Sequence, residues 1–340
     1  MIRWELRKLI NAMIMPAAAA LCVGWFFVCK LLFVGNYEGI NSAIYRDYIA
    51  ELSDLSFDEQ GEYIAAEDAE ISGTLSSENG MRDKYFQGDI SDEDYLDYLD
   101  RLESCKAKSE TFAYITRKYA RICEDRRLKF TYDLELEGHL TAMTADFPMI
   151  VMLLIFGCFV FIHELPTEPF ILTCKNGRRK LFAAKLAAYF IVCGVMIAVF
   201  NFAELAALFS KDLGDLAVPA ASMEAFGELD RDLTSLGLIV RIFLFRLLGE
   251  LTVCAVFFAL SSLCRNHLAY FCFAAALVMI PAFFASFVPK FLRGAIVYYT
   301  LSGKEIPADK TELAVIFGAA AWIAASFIAT ITKTRMKMLH

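Results

Sequence analysis

The chain has 340 residues, 58% of them hydrophobic, and a mean hydropathy of +0.48. These values exceed those of ordinary soluble domains, so the composition argues against a purely soluble protein and favours a membrane protein. The formal net charge of −7 conceals an asymmetry, because residues 35–146 carry 26 Asp and Glu against 12 Lys and Arg while the remainder is net basic. This asymmetry indicates an acidic soluble module joined to a membrane-embedded body.

Six apolar stretches follow one another along the chain, and each can cross a bilayer as a helix. They lie at about 11–34, 140–162, 181–208, 236–264, 267–288 and 313–332. The short segments on the side of the termini contain 11 Lys and Arg, against 6 in the two short loops on the other side. Because short cytoplasmic segments are rich in basic residues, both termini are predicted to be cytoplasmic. The predicted fold class is an all-α, multi-pass protein of the plasma or inner membrane, with domains at 1–34, 35–146 and 147–340.

The acidic block, residues 35–146, is predicted to form a helical domain outside the membrane, between the first and second spans. Shorter helices are expected at about 41–52 and 57–71, and glycines suggest turns at Gly73, Asn79-Gly80 and Gly88. Two pairs resemble the caps that begin helices, namely Ser56 with Glu59 and Ser91 with Asp94.

A long helix is predicted in the second half of this block. After Ser91 the apolar residues follow three- and four-residue steps, and neither Gly nor Pro occurs before Gly138. This pattern predicts one helix of about 40 residues. The acidic surface is explained either by solubility or by electrostatic attraction of a cationic peptide. The ten tyrosines of the block similarly fit either a helical core or a binding surface.

The segment after the second span reads HELPTEPFILTCKNGRRKLFAAKLAAYF from His163. It resembles the coupling segment of type 2 ABC exporter permeases, where an acid is followed by a short helix, a basic turn and a lysine that opens the third span. The matching positions are Glu164, Gly177, Arg178 and Lys185. The opening sequence MIRWELRKL is similar to the amphipathic elbow helix that precedes the first span in that family.

The resemblance implies that residues 163–180 contact a soluble ATPase, although Leu165-Pro166-Thr167 stands where the family usually has Gly-Thr. The expected coupling residues are Glu164, Phe170, Ile171, Gly177, Arg178 and Arg179. The chain lacks a GxxxxGK[ST] phosphate loop, so it is expected to hold no cofactor itself. ATP and Mg are expected in the partner subunit. The other expected partners are a second permease chain, identical or related, and membrane lipid, but no nucleic acid.

Four polar residues stand out in the predicted third and fourth spans: Asn201, Glu204, Arg246 and Glu250. Charged side chains at membrane depth are costly unless they are paired or face water. Arg246 and Glu250 are four residues apart and can pair on one helix face. These residues are interpreted either as part of a translocation path or dimer seam, or as a structural ion pair.

The predicted function is the permease subunit of an ATP-driven exporter whose substrate is a peptide, a drug or a lipid. The alternative is a membrane-anchored sensor or immunity receptor that captures a cationic peptide on its outer domain without transport. An intramembrane hydrolase is disfavoured, because the sequence contains no HExxH, GxSxG or clustered histidines. No catalytic residue and no metal site are therefore predicted.

Overall fold

The structure is a computed structural model that describes residues 2–9, 14–33, 39–143, 147–161, 177–264, 266–284, 301 and 312–339. Within these ranges the regular elements are helices, and there is no strand. In chain order the α-helices are α1 (Ile2–Leu9), α2 (Ile14–Leu32), α3 (Ser42–Asp54), α4 (Phe57–Ser76), α5 (Glu78–Gln87), α6 (Asp92–Glu124), α7 (Leu134–Ala142), α8 (Phe147–Phe161), α9 (Gly177–Phe209), α10 (Ser235–Leu263), α11 (His267–Phe284) and α12 (Glu312–Leu339).

The chain divides into two compact units. The first, which we call the apolar unit, comprises Met1–Val34, His139–Lys211 and Gly237–His340. The second, which we call the acidic unit, comprises Gly35–Gly138 and Asp212–Leu236. The sequence predicts that residues 209–236 form a short loop between spans, whereas the contacts of residues 212–236 join them to the acidic block. The acidic unit therefore contains 31 Asp and Glu against 13 Lys and Arg.

Four helical stretches are long and apolar enough to cross a membrane. They are Leu134–Val160, Lys180–Phe209, Ser235–Leu263 and Glu312–Lys333. Shorter apolar helices lie at Ala18–Leu32 and His267–Val278, where the first and fifth spans are predicted. The protein thus has the helices of a membrane protein, and the count of six spans stays a prediction.

Helix directions in the apolar unit follow from pairs of contacts at both ends of neighbouring helices. The Cys22 Sγ lies 3.8 Å from the Val199 carbonyl oxygen, and the Lys211 ammonium donates to the Phe33 carbonyl. Because the residue number rises along both helices from the first contact to the second, α2 and α9 run parallel. Asn201 contacts Glu250, and Glu204 contacts Arg246. Because the residue number rises on α9 while it falls on α10, these two helices run antiparallel.

The remaining helices continue this alternation. Helices α10 and α12 are parallel, since Arg241 pairs with Glu312 at 3.3 Å and the Lys333 ammonium donates to the Leu263 carbonyl at 2.6 Å. Helices α8 and α11 are antiparallel, since Tyr270 donates to the Leu154 carbonyl at 3.0 Å and the Cys158 Sγ lies 2.9 Å from His267 Nδ1. Only residues 264–266 separate the end of α10 from the start of α11, so these two helix ends lie on the same side. The ends of α8, α10 and α12 consequently share one side of the apolar unit with the starts of α2, α9 and α11.

The core of the acidic unit forms around α6, against which α3, α4 and α5 pack. The aromatic and aliphatic side chains of Tyr45, Leu52, Phe112 and Ile115 are almost fully buried there. Five of the ten tyrosines that allowed two interpretations are buried, namely Tyr45, Tyr48, Tyr98, Tyr114 and Tyr132.

The predicted helix caps are confirmed. Ser56 and Glu59 form a reciprocal capping box at the start of α4, and the Ser91 side chain accepts from the Asp94 backbone N–H at the start of α6. The predicted turns at Gly73 and Gly80 are wrong, because both glycines lie inside helices and the break falls at Ser77.

The long helix is shorter than predicted, at 33 residues. It ends at Glu124 because Asp125 leaves the helical region, with φ −141° and ψ 104°. The Asp125 carboxylate accepts from the Arg127 backbone N–H at 3.0 Å, which offers the chain a local alternative to another helical turn. An irregular segment then leads to α7, so the absence of Gly and Pro did not suffice to extend the helix.

Candidate functional site

Two long apolar helices of the apolar unit bring four polar side chains together. Asn201 and Glu204 are three residues apart on α9, and Arg246 and Glu250 are four residues apart on α10. Each spacing places its two side chains on one helix face. Because α9 and α10 run antiparallel, each pair meets the other. We call these four residues the ionic cluster.

The Arg246 guanidinium is the centre of the ionic cluster. Its Nη1 and Nη2 lie 2.8 Å from the two carboxylate oxygens of Glu204, which is a bidentate ion pair in which only the Nη1–Oε1 contact has hydrogen-bond geometry. Its Nε lies 3.6 Å from Glu250 Oε1. Asn201 Nδ2 donates to Glu250 Oε2 at 2.7 Å and to the Ile197 carbonyl at 3.0 Å. The sequence spacing predicted the Arg246–Glu250 pair, but the closer partner comes from the neighbouring helix.

The charged side chains of the ionic cluster are buried away from water. The side chains of Glu204, Arg246 and Glu250 are all 0% exposed. Two buried carboxylates contact one guanidinium, and each of these side chains carries a charge when it is ionised. Placing such a charge in apolar surroundings is expensive. The ionic contacts between α9 and α10 offset part of this cost.

His139 is a further buried polar residue that the sequence reasoning missed. Its side chain is 0% exposed, its ring packs edge-on against Phe33 at 5.3 Å, and its two nitrogens have no hydrogen-bond partner among the described residues. Arg246 and Lys211 both act on it electrostatically. In the sequence, four scattered histidines only argued against a metal site. Within the described ranges no group of His, Cys, Asp and Glu has the geometry to hold a metal ion.

Comparisons with protein-family models, with curated proteins and with solved structures find no match.

The predicted coupling residues are only partly described. Glu164, Phe170 and Ile171 lie outside the described residues. Gly177 is the first residue of α9 and is buried, and Arg178 and Arg179 follow it in the same helix. The buried Lys185 lies two turns further along α9. Their role in coupling stays a prediction.

A second buried polar cluster, in the acidic unit, provides a contrast. The Lys118 ammonium pairs with Asp133 and donates to the Thr131 carbonyl at 3.0 Å. The Tyr45 hydroxyl donates to Asp133 Oδ1 at 2.8 Å, and burial together with the Asp133 charge raises the pKa of Tyr45 well above its ordinary value. The buried carboxylate of Glu137 also interacts electrostatically with Lys118 and Asp133. The ionic cluster is the functional candidate because it joins two helices that are long and apolar enough to cross a membrane.

Proposed function

We propose that the chain is the transmembrane permease subunit of an ATP-driven exporter of the type 2 ABC class. The observation that carries the proposal is the alternation of helix directions in the apolar unit. The ends of α8, α10 and α12 share one side with the starts of α2 and α9, and the sequence concentrates Lys and Arg in the segments that join these ends. A cytoplasmic face rich in basic residues is what the positive-inside rule requires.

The resemblance of residues 163–180 to a coupling segment supplies the second argument. This segment joins the end of α8 to the start of α9, on the side rich in basic residues. A motor that moves it would act directly on α8 and α9. Helix α1, which the resemblance identifies as an elbow helix, packs against both of these helices. ATP and Mg would bind in a separate ATPase, and this chain would supply the contact surface and the moving helices.

The ionic cluster then has a mechanical role. Transport requires helices to change partners between inward-open and outward-open states. A bidentate Arg246–Glu204 pair holds α9 against α10, and any separation of the two helices would leave charges unpaired at membrane depth. Such a contact favours a small number of distinct arrangements of α9 and α10 over a continuous movement of one helix along the other.

Purification in a mild detergent tests the proposal. The wild-type chain should copurify with a soluble ATPase that contains a phosphate loop, and its ATPase rate should change when the permease is present. Phe170→Ala and Arg178→Glu should lower the recovery of the ATPase. The matched controls are Phe86→Ala, which removes a phenylalanine that is 77% exposed in the acidic unit, and Arg82→Glu on the same helix, α5. Both controls should retain the ATPase.

Failure of the wild-type chain to retain any nucleotide-binding subunit would contradict the exporter proposal. The receptor hypothesis predicts that result together with retention of a cationic peptide. Equal loss of the ATPase in the Phe170 and Phe86 variants would also count against the coupling segment, because it would show a general effect on the protein.

A further inference from the structure

The acidic unit contains an open cleft between α4, α6 and the irregular segment that follows α6. Its volume is about 410 Å³, which lies in the range of small-molecule sites. Apolar side chains that include Phe57, Ile122, Leu128 and Phe130 line it. Two cations, Arg126 and Lys129, also line it, and no Asp or Glu does so among the residues that the structure describes.

Unpaired cations are unexpected in this unit, where 31 acids face 13 bases. The Arg126 guanidinium lies over the Phe57 ring, 4.4 Å from its centroid, and so is held at the edge of the apolar lining. Neither Arg126 nor Lys129 forms an ion pair within the described ranges. The nearest acid in sequence, Asp125, is engaged by Arg127 at 3.1 Å and by Arg231 at 3.4 Å.

We propose that this cleft binds a small organic carboxylate with an apolar body, such as an aromatic or branched aliphatic acid. The Arg126 guanidinium and the Lys129 ammonium would receive the carboxylate, and the lining of Phe57, Leu128 and Phe130 would bury the apolar body. The surrounding acidic surface opposes an anion, so affinity requires both the two cations and apolar contact. The same two cations would repel a cationic peptide from this cleft. This site goes beyond the proposed export function and does not depend on it.

Fluorine NMR on the full chain in lipid nanodiscs tests this assignment. The probe is a trifluoromethyl-labelled phenylbutyrate, and its neutral amide is the matched ligand control. The acid should bind at least about tenfold more tightly than the amide, because its charge-assisted hydrogen bonds are lost in the amide. The variant Arg126→Gln/Lys129→Gln should weaken binding of the acid by about tenfold and leave binding of the amide unchanged.

A charge-matched variant separates a local effect from a general one. Arg82→Gln/Lys84→Gln removes two exposed cations from α5, and neither of them lines the cleft. This variant should bind the acid like the wild type. Equal affinity for acid and amide, or equal loss in both double variants, would overturn the proposal. Tighter binding of a cationic analogue would overturn it as well. No ATPase enters the measurement, so its outcome is independent of the exporter proposal.

Discussion

Replacement of Arg246 by methionine would leave the carboxylates of Glu204 and Glu250 buried without their cation. Methionine preserves most of the length and volume of the arginine, so the loss is chiefly electrostatic. Removal of one partner from a buried ion pair costs about 3–5 kcal/mol. Because Glu204 and Glu250 are both 0% exposed and both lose the contact with Arg246, we expect the free energy of unfolding to fall by an amount in this range.

Two further variants separate the contributions of the individual charges to this loss of stability. Glu204→Gln removes the bidentate pairing and keeps the contact between Arg246 Nε and Glu250, so we expect a loss of about 1.5–3 kcal/mol. The triple variant Glu204→Gln/Arg246→Met/Glu250→Gln removes all three charges. Since neutral replacement of a whole buried ionic group is often harmless, its stability should return to within about 1 kcal/mol of the wild type.

The assay is denaturation by sodium dodecyl sulfate in mild detergent, followed by tryptophan fluorescence. The three tryptophans, Trp4, Trp25 and Trp322, all belong to the apolar unit, so the signal reports this unit alone. Arg241→Met is the matched control, because Arg241 is on the same helix but is 50% exposed and should cost under about 1 kcal/mol. The reasoning is refuted if Arg246→Met costs no more than Arg241→Met, or if the triple variant is as unstable as Arg246→Met.

Three more predictions concern the acidic unit. Ser56→Ala removes the capping box of α4 and should cost about 1 kcal/mol, measured by hydrogen exchange of peptides from α4. Gly214→Ala should cost about 2 kcal/mol in the same measurement on residues 212–236, because φ is 60° and the new Cβ would lie 2.1 Å from the Tyr132 carbonyl oxygen. Burial and carboxylate neighbours raise the pKa of Tyr45 and of Tyr48. The folded pKa values of these tyrosines therefore lie above the unfolded value. The stabilisation that the two neutral hydroxyls provide is complete below pH about 10 and is lost as the pH rises through the folded pKa values. Tyrosinate absorbance measured against pH will follow this loss.

Each of these predictions has a control or a contrary outcome. Ser72→Ala alters an exposed position within α4 and should leave exchange unchanged or slower. Gly73→Ala adds a Cβ with nothing within 4 Å and should stabilise α4 by about 0.5–1 kcal/mol. Loss of stability in these controls would contradict the local reasoning. An ordinary titration of all tyrosines near pH 10, without unfolding, would contradict the burial of Tyr45.

Local signals in the sequence predicted the helix starts well, but they misplaced turns at Gly73 and Gly80. The caps at Ser56 and Ser91 depend only on residues three positions apart, and hydrophobic length alone identified the membrane-length helices. The end of α6 at Glu124 was missed because it depends on a side-chain hydrogen bond of Asp125, which competes weakly against helix propensity. Apolar periodicity does not register such a competition.

Long-range pairing was predicted least well. The spacing of Arg246 and Glu250 revealed their pairing on one helix, whereas the bidentate partner Glu204 lies 42 residues away on another helix. The same limit applies to residues 212–236, which the sequence separates from the acidic block. Arg121 donates to the Ala221 carbonyl, and the Ala225 N–H donates to Glu137 at 2.6 Å, so tertiary contacts alone join this segment to the acidic unit.

The central claim is that the acidic unit faces the exterior while the basic connections face the cytoplasm. Labelling of intact cells with a membrane-impermeant maleimide tests it most directly, because Cys123 is exposed in the acidic unit and Lys180→Cys adds a thiol at an exposed position near the start of α9. The account predicts modification of Cys123 in intact cells, abolished by Cys123→Ser, and modification at position 180 only after the membrane is permeabilised. Modification at position 180 in intact cells, or protection of Cys123 until permeabilisation, would contradict the topology and with it the proposed contact with an ATPase.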